Sequence, residues 1–365
     1  MQCMLAYYTS RCISIQSDAS NFCYYILFYK SNYSIYNDGM RSQFVLFALL
    51  LLGNWNVNNS SLYAQNTSQS STSTSAARSA SIPVPIKADA QTIFLSNPDH
   101  WRQKAFEVYH LTVGNNIIVI KFSSYAEQRK FFFRLTYFSN QDDTEHHIQP
   151  ASYYDGMHSY NANDYNAEEL ADFFNQLAKQ HMNPEPGEAV LLNMALSYKI
   201  IKKTNADYKP IGGAIISFSM ETEIVQRKRY LVHETMHGLF YTVPKLREAI
   251  FATIEKLTPT EKYFWYLFLK HKGELDNRPG LSGYNINNKE LVVNEIFAHV
   301  MQTEPEDMDD YFFTIYIPRM FKLLPEEKQF LENFLNTSSS MFYSLRSQFA
   351  QALEKYCGLK NGILF

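Results

Sequence analysis

Hydrophobic and polar residues alternate along residues 105–124, with an interruption at Gly114-Asn115-Asn116. Alternation on both sides of such a turn predicts two β-strands joined as a hairpin. Residues 124–140 change to helical spacing, which predicts a helix with one buried face. The residues expected on that face are Phe131, Phe132, Leu135 and Phe138. Two strands and a helix in succession indicate a small α+β lobe, which we place at residues 96–150.

Helical spacing dominates the chain after residue 160. Asn166 is a favourable N-cap that precedes an acidic first turn and an apolar stripe, which predicts a helix over residues 166–181. Thr258 is also a favourable N-cap, and Pro259 suits the first helical position after it. Further helices are predicted over residues 189–203, 223–241, 246–257, 261–270 and 289–302, with closing helices beyond residue 305.

Residues 211–219, with the sequence IGGAIISFS, interrupt the helical pattern. They are short, rich in isoleucine and flanked by glycine, which predicts a strand. The pattern fits the edge strand of a small sheet, and it fits an ordinary buried strand equally well. The chain is therefore predicted to adopt an α+β fold that is mostly helical and contains a small sheet.

The sequence HETMH, residues 233–237, places two histidines four residues apart in the predicted helix 223–241. Side chains at this spacing share one helix face, so His233 and His237 can bind the same metal ion. Glu234 lies one position round the helix, where its carboxylate can reach a metal-bound water. Random placement of this chain's histidines and glutamates produces the pattern in about one or two chains per hundred, so a third ligand has to support the interpretation.

Glu295 is the candidate third ligand, since catalytic zinc sites have three protein ligands and leave a fourth position for water. It lies among the apolar residues of the predicted helix 289–302. An unpaired carboxylate in such a place costs several kcal/mol, which favours a counter-charge such as a metal ion. His299 is four residues further along the same face. It either orients a ligand through its second ring nitrogen or is a core histidine bonded to a carbonyl group.

HETMHG and the later NEIFAH together resemble the gluzincin clan of zinc metallopeptidases. In that clan, H-E-x-x-H supplies two histidine ligands and the general base, and a glutamate on a later helix is the third ligand. The likeness extends to HSYNANDYNAEELADFF (158–174), GGAIISFSMETE (212–223) and VVNEIFAHVMQ (292–302), which are similar to a group of secreted bacterial gluzincin-like proteins. The resemblance implies a zincin-like domain over residues 151–365, in which strand 211–219 lies at the sheet edge beside the metal and pairs with an extended substrate.

The N-terminal residues carry the features of an export signal. Residues 1–39 lack periodicity and are interpreted as an upstream extension, with the natural start at Met40. A basic residue, a short apolar run and a polar stretch ending at Ala64 then predict a signal peptide at residues 40–64. The apolar run is too short for a transmembrane helix, which needs about 20 residues. Residues 65–95 are rich in serine and threonine and predict a disordered linker, so we expect a protein that is secreted or periplasmic.

The formal net charge of −3 indicates no basic surface for nucleic acid. We expect a secreted zinc metallopeptidase acting on peptides or proteins, with Zn²⁺ bound by His233, His237 and Glu295. Glu234 is the expected general base, and Tyr284 is a candidate to stabilise the oxyanion. One alternative is a catalytically inactive zincin scaffold that binds a peptide or a cell-surface ligand. Another is a purely structural surface protein without zinc.

Overall fold

The computed structural model describes residues 12–15, 24–27, 82–139, 147–155, 160–276 and 283–365. The chain divides into two units, residues 1–74 and 75–365. In the first unit, strands β1 (Cys12–Ile15) and β2 (Tyr24–Leu27) pair in antiparallel orientation. The predicted signal peptide at residues 40–64 and residues 65–81 of the predicted linker lie outside the described residues.

The second unit is an α+β fold with a small mixed sheet, as the sequence predicts. Its strands are β3 (Ile86–Ala88), β4 (Phe106–Leu111), β5 (Ile117–Phe122), β6 (Ala162–Asn166), β7 (Ile201–Lys203), β8 (Tyr208–Pro210) and β9 (Ala214–Ser219). Five strands form one sheet in the order β3-β4-β5-β9-β6. β3 with β4 and β5 with β9 are parallel, whereas β4 with β5 and β6 with β9 are antiparallel. β7 and β8 form a separate antiparallel pair.

Helices cover both faces of the five-stranded sheet. Their bounds are α1 (Ala90–Leu95), α2 (Tyr125–Ser139), α3 (Ala167–Lys179), α4 (Pro186–Ser197), α5 (Ile224–Thr242), α6 (Pro244–Glu255), α7 (Pro259–Lys270), α8 (Lys272–Leu275), α9 (Lys289–Met301), α10 (Ile317–Leu323), α11 (Lys328–Thr337) and α12 (Met341–Cys357). A π-helix spans Asp309–Tyr316, between α9 and α10. Among the described residues, no helix combines the length and the apolar character needed to cross a membrane.

Successive side chains of β5 enter two different hydrophobic cores, as the pleat of a strand requires. Ile117 and Val119 face the core that includes residues of α5, α9 and α12. Ile118 and Ile120 face the core that includes residues of α2, α3 and α4. Both β5 and β9 are buried along their whole length because helices cover both faces of the sheet.

The predicted β4–β5 hairpin and the helix after it are confirmed. Gly114 lies in the turn with a φ of 79°, and a Cβ atom at this position would lie 2.6 Å from Ile117 Cδ1. The turn therefore requires glycine on conformational and steric grounds. On α2, all four aromatic and aliphatic residues predicted to face inward are buried: Phe131, Phe132, Leu135 and Phe138.

Both predicted helix caps are also confirmed. Asn166 accepts a hydrogen bond from the backbone N–H of Glu169 (2.9 Å) at the start of α3. Thr258 accepts one from the N–H of Glu261 (3.3 Å) at the start of α7. In each case the glutamate carboxylate accepts a hydrogen bond from the N–H of its cap residue, which completes a capping box.

β9 is a central strand, so the prediction that residues 211–219 form the sheet edge is wrong. An apolar run such as AIISFS suits a strand that is covered on both faces, and β9 lies between β5 and β6. The edge beside α5 is instead β6, whose residues alternate between half-buried and buried. No other described strand pairs with its open side. The sequence of β6, ANDYN, concealed it because asparagine and aspartate are rare in strands.

Two predicted boundaries differ from the observed ones. The helix predicted over residues 189–203 ends at Ser197, because Lys199 has a φ of 58° and the chain then enters β7. Residues 86–95, assigned to the linker from their composition, form β3 and α1 instead. β3 pairs with β4, and the Asp89 side chain caps α1 by accepting a hydrogen bond from Thr92 N (2.7 Å).

β4 and β5, from the predicted N-terminal lobe, share their sheet with β6 and β9.

Candidate metal centre

His233 and His237 lie one turn apart on α5, and their Nε2 atoms are 3.0 Å from each other. Both side chains are buried, with His233 8% and His237 1% exposed. α5 packs against β6 and β9 of the sheet and against α9. The two imidazoles therefore face a small interior space that a neighbouring helix closes.

Glu295 on α9 closes that space opposite the two histidines. Its Oε2 atom lies 3.6 Å from His233 Nε2, and its Oε1 atom lies 3.7 Å from His237 Nε2. Ligand atoms at about 2.1 Å from a shared tetrahedral ion are about 3.4 Å from one another. The 3.0 Å between the two histidines and the 3.6 and 3.7 Å to two different oxygens of Glu295 lie near this value. The structure thus brings together the three residues proposed as ligands. The side chains of His233, Glu295 and His299 also form a group whose ligand atoms lie within 4.8 Å of one another and could hold a metal ion.

Several buried polar atoms of this cluster have no hydrogen-bond partner among the described residues. They include Glu234 Oε2, Glu295 Oε2 and His299 Nε2. Leaving such an atom unpaired costs about 1–3 kcal/mol, so native proteins rarely do so without a reason. A cation between the histidines and Glu295 would satisfy the carboxylate, which supports a metal site on the chemistry of the donor atoms.

His299 belongs to the same cluster, and its Nε2 atom lies 3.7 Å from Glu295 Oε2. Its Nδ1 atom accepts a hydrogen bond from Gln302 Nε2 at 2.9 Å and lies 3.1 Å from the Tyr311 hydroxyl. The same Gln302 amide also donates a hydrogen bond to the Tyr311 hydroxyl. A neutral imidazole that accepts at Nδ1 carries its hydrogen on Nε2. With this tautomer, the Nε2–H group of His299 faces the cluster.

Asp164 is a component of the site that the sequence did not reveal. It lies on the edge strand β6, and its carboxylate, the carboxylate of Glu234 and a ring nitrogen of His237 are within 4.8 Å of one another. The Tyr241 hydroxyl donates a hydrogen bond of 2.9 Å to Asp164 Oδ2. A single aspartate in a short polar segment has no sequence signal that distinguishes it from a loop residue. Only the pairing of β6 with β9 places it beside the histidines.

The ionisable groups of the cluster shift one another strongly. Burial raises the pKa of Glu295 to about 7, although the nearby His237 opposes the rise. Burial also raises the pKa of Glu234 well above its usual value, and the charges of Asp164 and Glu295 raise it further. Burial and then His237 lower the pKa of His233. Three carboxylates in one buried space favour a bound cation, because like charges out of water repel each other.

The same environment shifts the pKa values of the three histidines in different directions. Burial lowers the pKa of His237, but Asp164 and Glu295 outweigh that effect and the pKa is raised overall. Burial and then His233 lower the pKa of His299 well below its usual value. His233 and His299 are therefore neutral at physiological pH. Neutral imidazole is the form that binds metal ions or donates a single hydrogen bond.

Tyr284, the phenol proposed from the sequence, lies beside the cluster. Its hydroxyl interacts with Glu295 and lowers the pKa of that carboxyl, against the larger effect of burial. Burial raises the pKa of Tyr284 itself well above its usual value, so the phenol stays protonated and can donate. Tyr241 is less available for a substrate, because its hydroxyl already binds Asp164.

Two cavities meet at the cluster, and His233, Glu234 and Tyr284 line both of them. Their volumes are about 320 and about 620 Å³. The edge strand runs along the larger cavity, which residues 163–166 line, and its first residue, Ala162, lines the smaller one with the preceding Asn161. A substrate in these cavities would therefore lie alongside β6 and pass Glu234.

Comparisons of this chain with known protein families, with curated proteins and with solved structures find no match. The functional interpretation consequently depends on the geometry and the chemistry of the site.

Proposed function

We propose that the protein is a zinc-dependent metallopeptidase that acts outside the cytoplasm on peptides or proteins. The convergence of His233, His237 and Glu295 at 3.0 to 3.7 Å is the observation that carries this proposal. Two imidazoles and one carboxylate form the ligand set of hydrolytic zinc sites, which keep a fourth position open. The signal peptide predicted at residues 40–64 supports export.

A zinc ion held by these three residues would lower the pKa of a bound water towards about 7 and polarise the scissile carbonyl. Glu234 lies beside the ligands and lines both cavities, where it accepts a proton from the attacking water and passes it to the leaving amine. His299 Nε2–H and the Tyr284 hydroxyl are the donors that can stabilise negative charge on the carbonyl oxygen. These roles complete a hydrolytic site.

The edge strand β6 supplies a way to bind an extended peptide. No described strand pairs with its outer side, and its residues line the larger cavity and the start of the smaller one. A peptide that adds to such an edge gains main-chain hydrogen bonds, which confer affinity with little dependence on its sequence. In this proposal the substrate pairs with β6, and not with residues 211–219 as the sequence had indicated.

Metal content and proteolysis of the full-length protein test the proposal. Wild type is compared with Glu234→Gln, which keeps the size of the side chain and removes the base. Glu223→Gln is the matched control, because Glu223 is an exposed residue at the start of the same helix. We expect about one zinc per chain in all three proteins, and cleavage of a denatured-protein mixture by wild type and Glu223→Gln only.

Three other outcomes would count against the proposal or against its test. Zinc in all three proteins without cleavage by any of them, over a broad range of substrates, would favour the inactive scaffold that binds a peptide or cell-surface ligand. Loss of cleavage in Glu223→Gln as well as Glu234→Gln would show that the assay reports helix integrity and not the base. Absence of bound metal from the wild type would show that His233, His237 and Glu295 do not form a metal site.

A further inference from the structure

Three cationic side chains from three helices line the smaller cavity: Arg229 on α5, Lys272 on α8 and Arg319 on α10. Lys272 already has a partner there, because its Nζ atom lies 2.6 Å from Asp276 Oδ2. No carboxylate of the described residues lies within 4.0 Å of the Arg229 or Arg319 guanidinium. Two arginines of this cavity are therefore available to an anionic ligand.

Arg229 lies next to the metal cluster along α5. It precedes His233 by four residues, which places it on the same helix face about 6 Å along the axis. Its guanidinium is 5.3 Å from the centroid of the Tyr311 ring, and the Tyr311 hydroxyl is 3.1 Å from His299 Nδ1. A group bound by Arg229 would thus lie one or two residues from the bond that is cleaved, at about 3.3 Å per extended residue.

Arg319 is fixed by the protein but keeps most of its donors. Its Nη1 atom donates to the carbonyl oxygen of Leu275 at 2.7 Å, and its guanidinium lies 5.6 Å from the centroid of the Tyr316 ring. One hydrogen bond uses one of the five N–H donors of a guanidinium. The remaining donors form a planar fork that matches a carboxylate.

The larger cavity has the opposite charge. Asp164 and Glu168 line it, and its arginine, Arg247, is bound to Glu290 at 3.2 Å. An acidic group would be repelled there and attracted to the smaller cavity. The charge difference on either side of Glu234 therefore orients a substrate that carries one carboxylate.

We propose that the smaller cavity is a subsite for a carboxylate of the substrate, and that Arg229 and Arg319 bind it. The carboxylate belongs either to an aspartate or glutamate side chain or to the C-terminus of the peptide. The proposal rests on the proposed peptidase function and specifies its substrate class. A substrate amide at the same position would leave the two guanidinium groups without a counter-charge.

Hexapeptides with a single glutamate at each position in turn test this subsite. They are compared with the same peptides carrying glutamine, and each is made with a free and with an amidated C-terminus. kcat/KM is measured for full-length wild type, Arg229→Gln and Arg319→Gln. Arg247→Gln is the matched control, since it removes an arginine from the other cavity. Melting temperature and zinc content identify any variant that does not fold.

We expect wild type to prefer a carboxylate over its amide by about 10- to 100-fold at one position, because a hydrogen-bonded charge contributes that much. Each of Arg229→Gln and Arg319→Gln should lose most of this preference, and Arg247→Gln should retain it. A preference for glutamate at an internal position would show that the subsite binds a side-chain carboxylate. A preference for the free over the amidated C-terminus would show that it binds the C-terminal carboxylate. Equal kcat/KM for acid and amide in wild type would overturn the proposal.

Calorimetric binding of the same peptides to Glu234→Gln separates the subsite from turnover. If the protein cleaves no peptide, tighter binding of one carboxylate peptide than of its amide, lost in Arg229→Gln or Arg319→Gln, would still support the subsite. Indistinguishable binding of acid and amide peptides would overturn it even if cleavage occurs.

Discussion

The Nε2 atoms of His233 and His237 lie 3.0 Å apart, with the Glu295 carboxylate facing both. At this distance the two imidazoles cannot both be protonated without strong repulsion, and His233 remains neutral because burial and then His237 lower its pKa. Bringing these buried ionisable groups together is unfavourable unless they are neutral, and the cluster could hold a metal ion.

Zinc should stabilise the protein more as the pH rises from 5.5 to 8. Burial raises the pKa of Glu295 from 4.5 to about 7. The protonated form stabilises the metal-free fold, so this contribution is present at low pH and is lost as the pH rises through 7. Zinc must displace that proton below pH 7, which reduces its affinity by up to about tenfold per pH unit for each proton released.

Thermal unfolding with excess chelator and with zinc, at pH 5.5, 7 and 8, measures this effect. The control is Glu295→Gln, which removes both the titrating carboxyl and a metal ligand. Its zinc-dependent shift in Tm should be small at every pH, and its metal-free form should be more stable than metal-free wild type at pH 8. A zinc-dependent shift in wild type that is constant with pH would contradict the role of Glu295.

Replacing His299 should reduce turnover without removing the metal. In the proposed function its Nε2–H is a donor to the substrate oxygen, because its Nδ1 atom faces the Gln302 amide nitrogen at 2.9 Å. His299→Ala should lower kcat by about 10²- to 10³-fold, the typical effect of losing a donor to the oxyanion. His299→Gln, which offers an N–H donor of similar reach, should have a kcat between those of His299→Ala and wild type. Loss of zinc from His299→Ala would instead identify His299 as a ligand.

Gly238 lets α5 approach β5 closely, and Gly238→Ala should destabilise the fold. An alanine Cβ would lie 3.1 Å from Ile117 Cγ2 and 3.2 Å from Ile117 Cδ1. Overpacking of this kind costs about 1–3 kcal/mol, which exceeds the gain of about 1 kcal/mol in helix propensity. In an Ile117→Ala background the same change should become neutral or stabilising. Urea unfolding of the four proteins of this double-mutant cycle measures the coupling.

The buried ion pair between Arg134 and Glu188 joins α2 to α4. Neither residue belongs to the metal cluster. Arg134 Nε donates to Glu188 Oε1 at 2.8 Å, and both side chains are at most 3% exposed. Glu188→Ala should cost about 3–5 kcal/mol in unfolding free energy, because it leaves a buried guanidinium without its partner. Replacing both residues by methionine should restore much of the stability. Zinc content of the folded proteins should not change.

The exposed pair of Glu127 with Lys130 is the matched control for the buried pair. Its atoms are 2.7 Å apart, but Lys130 is 59% exposed. Glu127→Ala should therefore change stability by less than about 1 kcal/mol. Equal costs at the two pairs would show that burial does not determine the energy of the interaction.

Local patterns in the sequence predict much of this structure. The caps at Asn166 and Thr258 and the β4–β5 hairpin depend on neighbouring residues, so their chemistry is visible in the chain itself. The paired histidines are visible for the same reason. Glu295 could be proposed because a carboxylate in an apolar helix face requires a partner.

Features that depend on long-range pairing could not be predicted. The apolar run of β9 fits a central strand as well as an edge strand, and only its neighbours β5 and β6 distinguish the two. Asp164 reaches the cluster through the pairing of β6 with β9. Arg229 and Arg319 line one cavity although 90 residues separate them, and no local spacing relates them.

The open side of β6 also bears on the solubility of the protein. An unpaired strand edge can pair with another molecule of the same protein, and long apolar edges promote aggregation by this route. β6 has only five residues, and a carboxylate lies at its centre. The features that hid this strand from sequence analysis are thus the same ones that disfavour self-association through its edge.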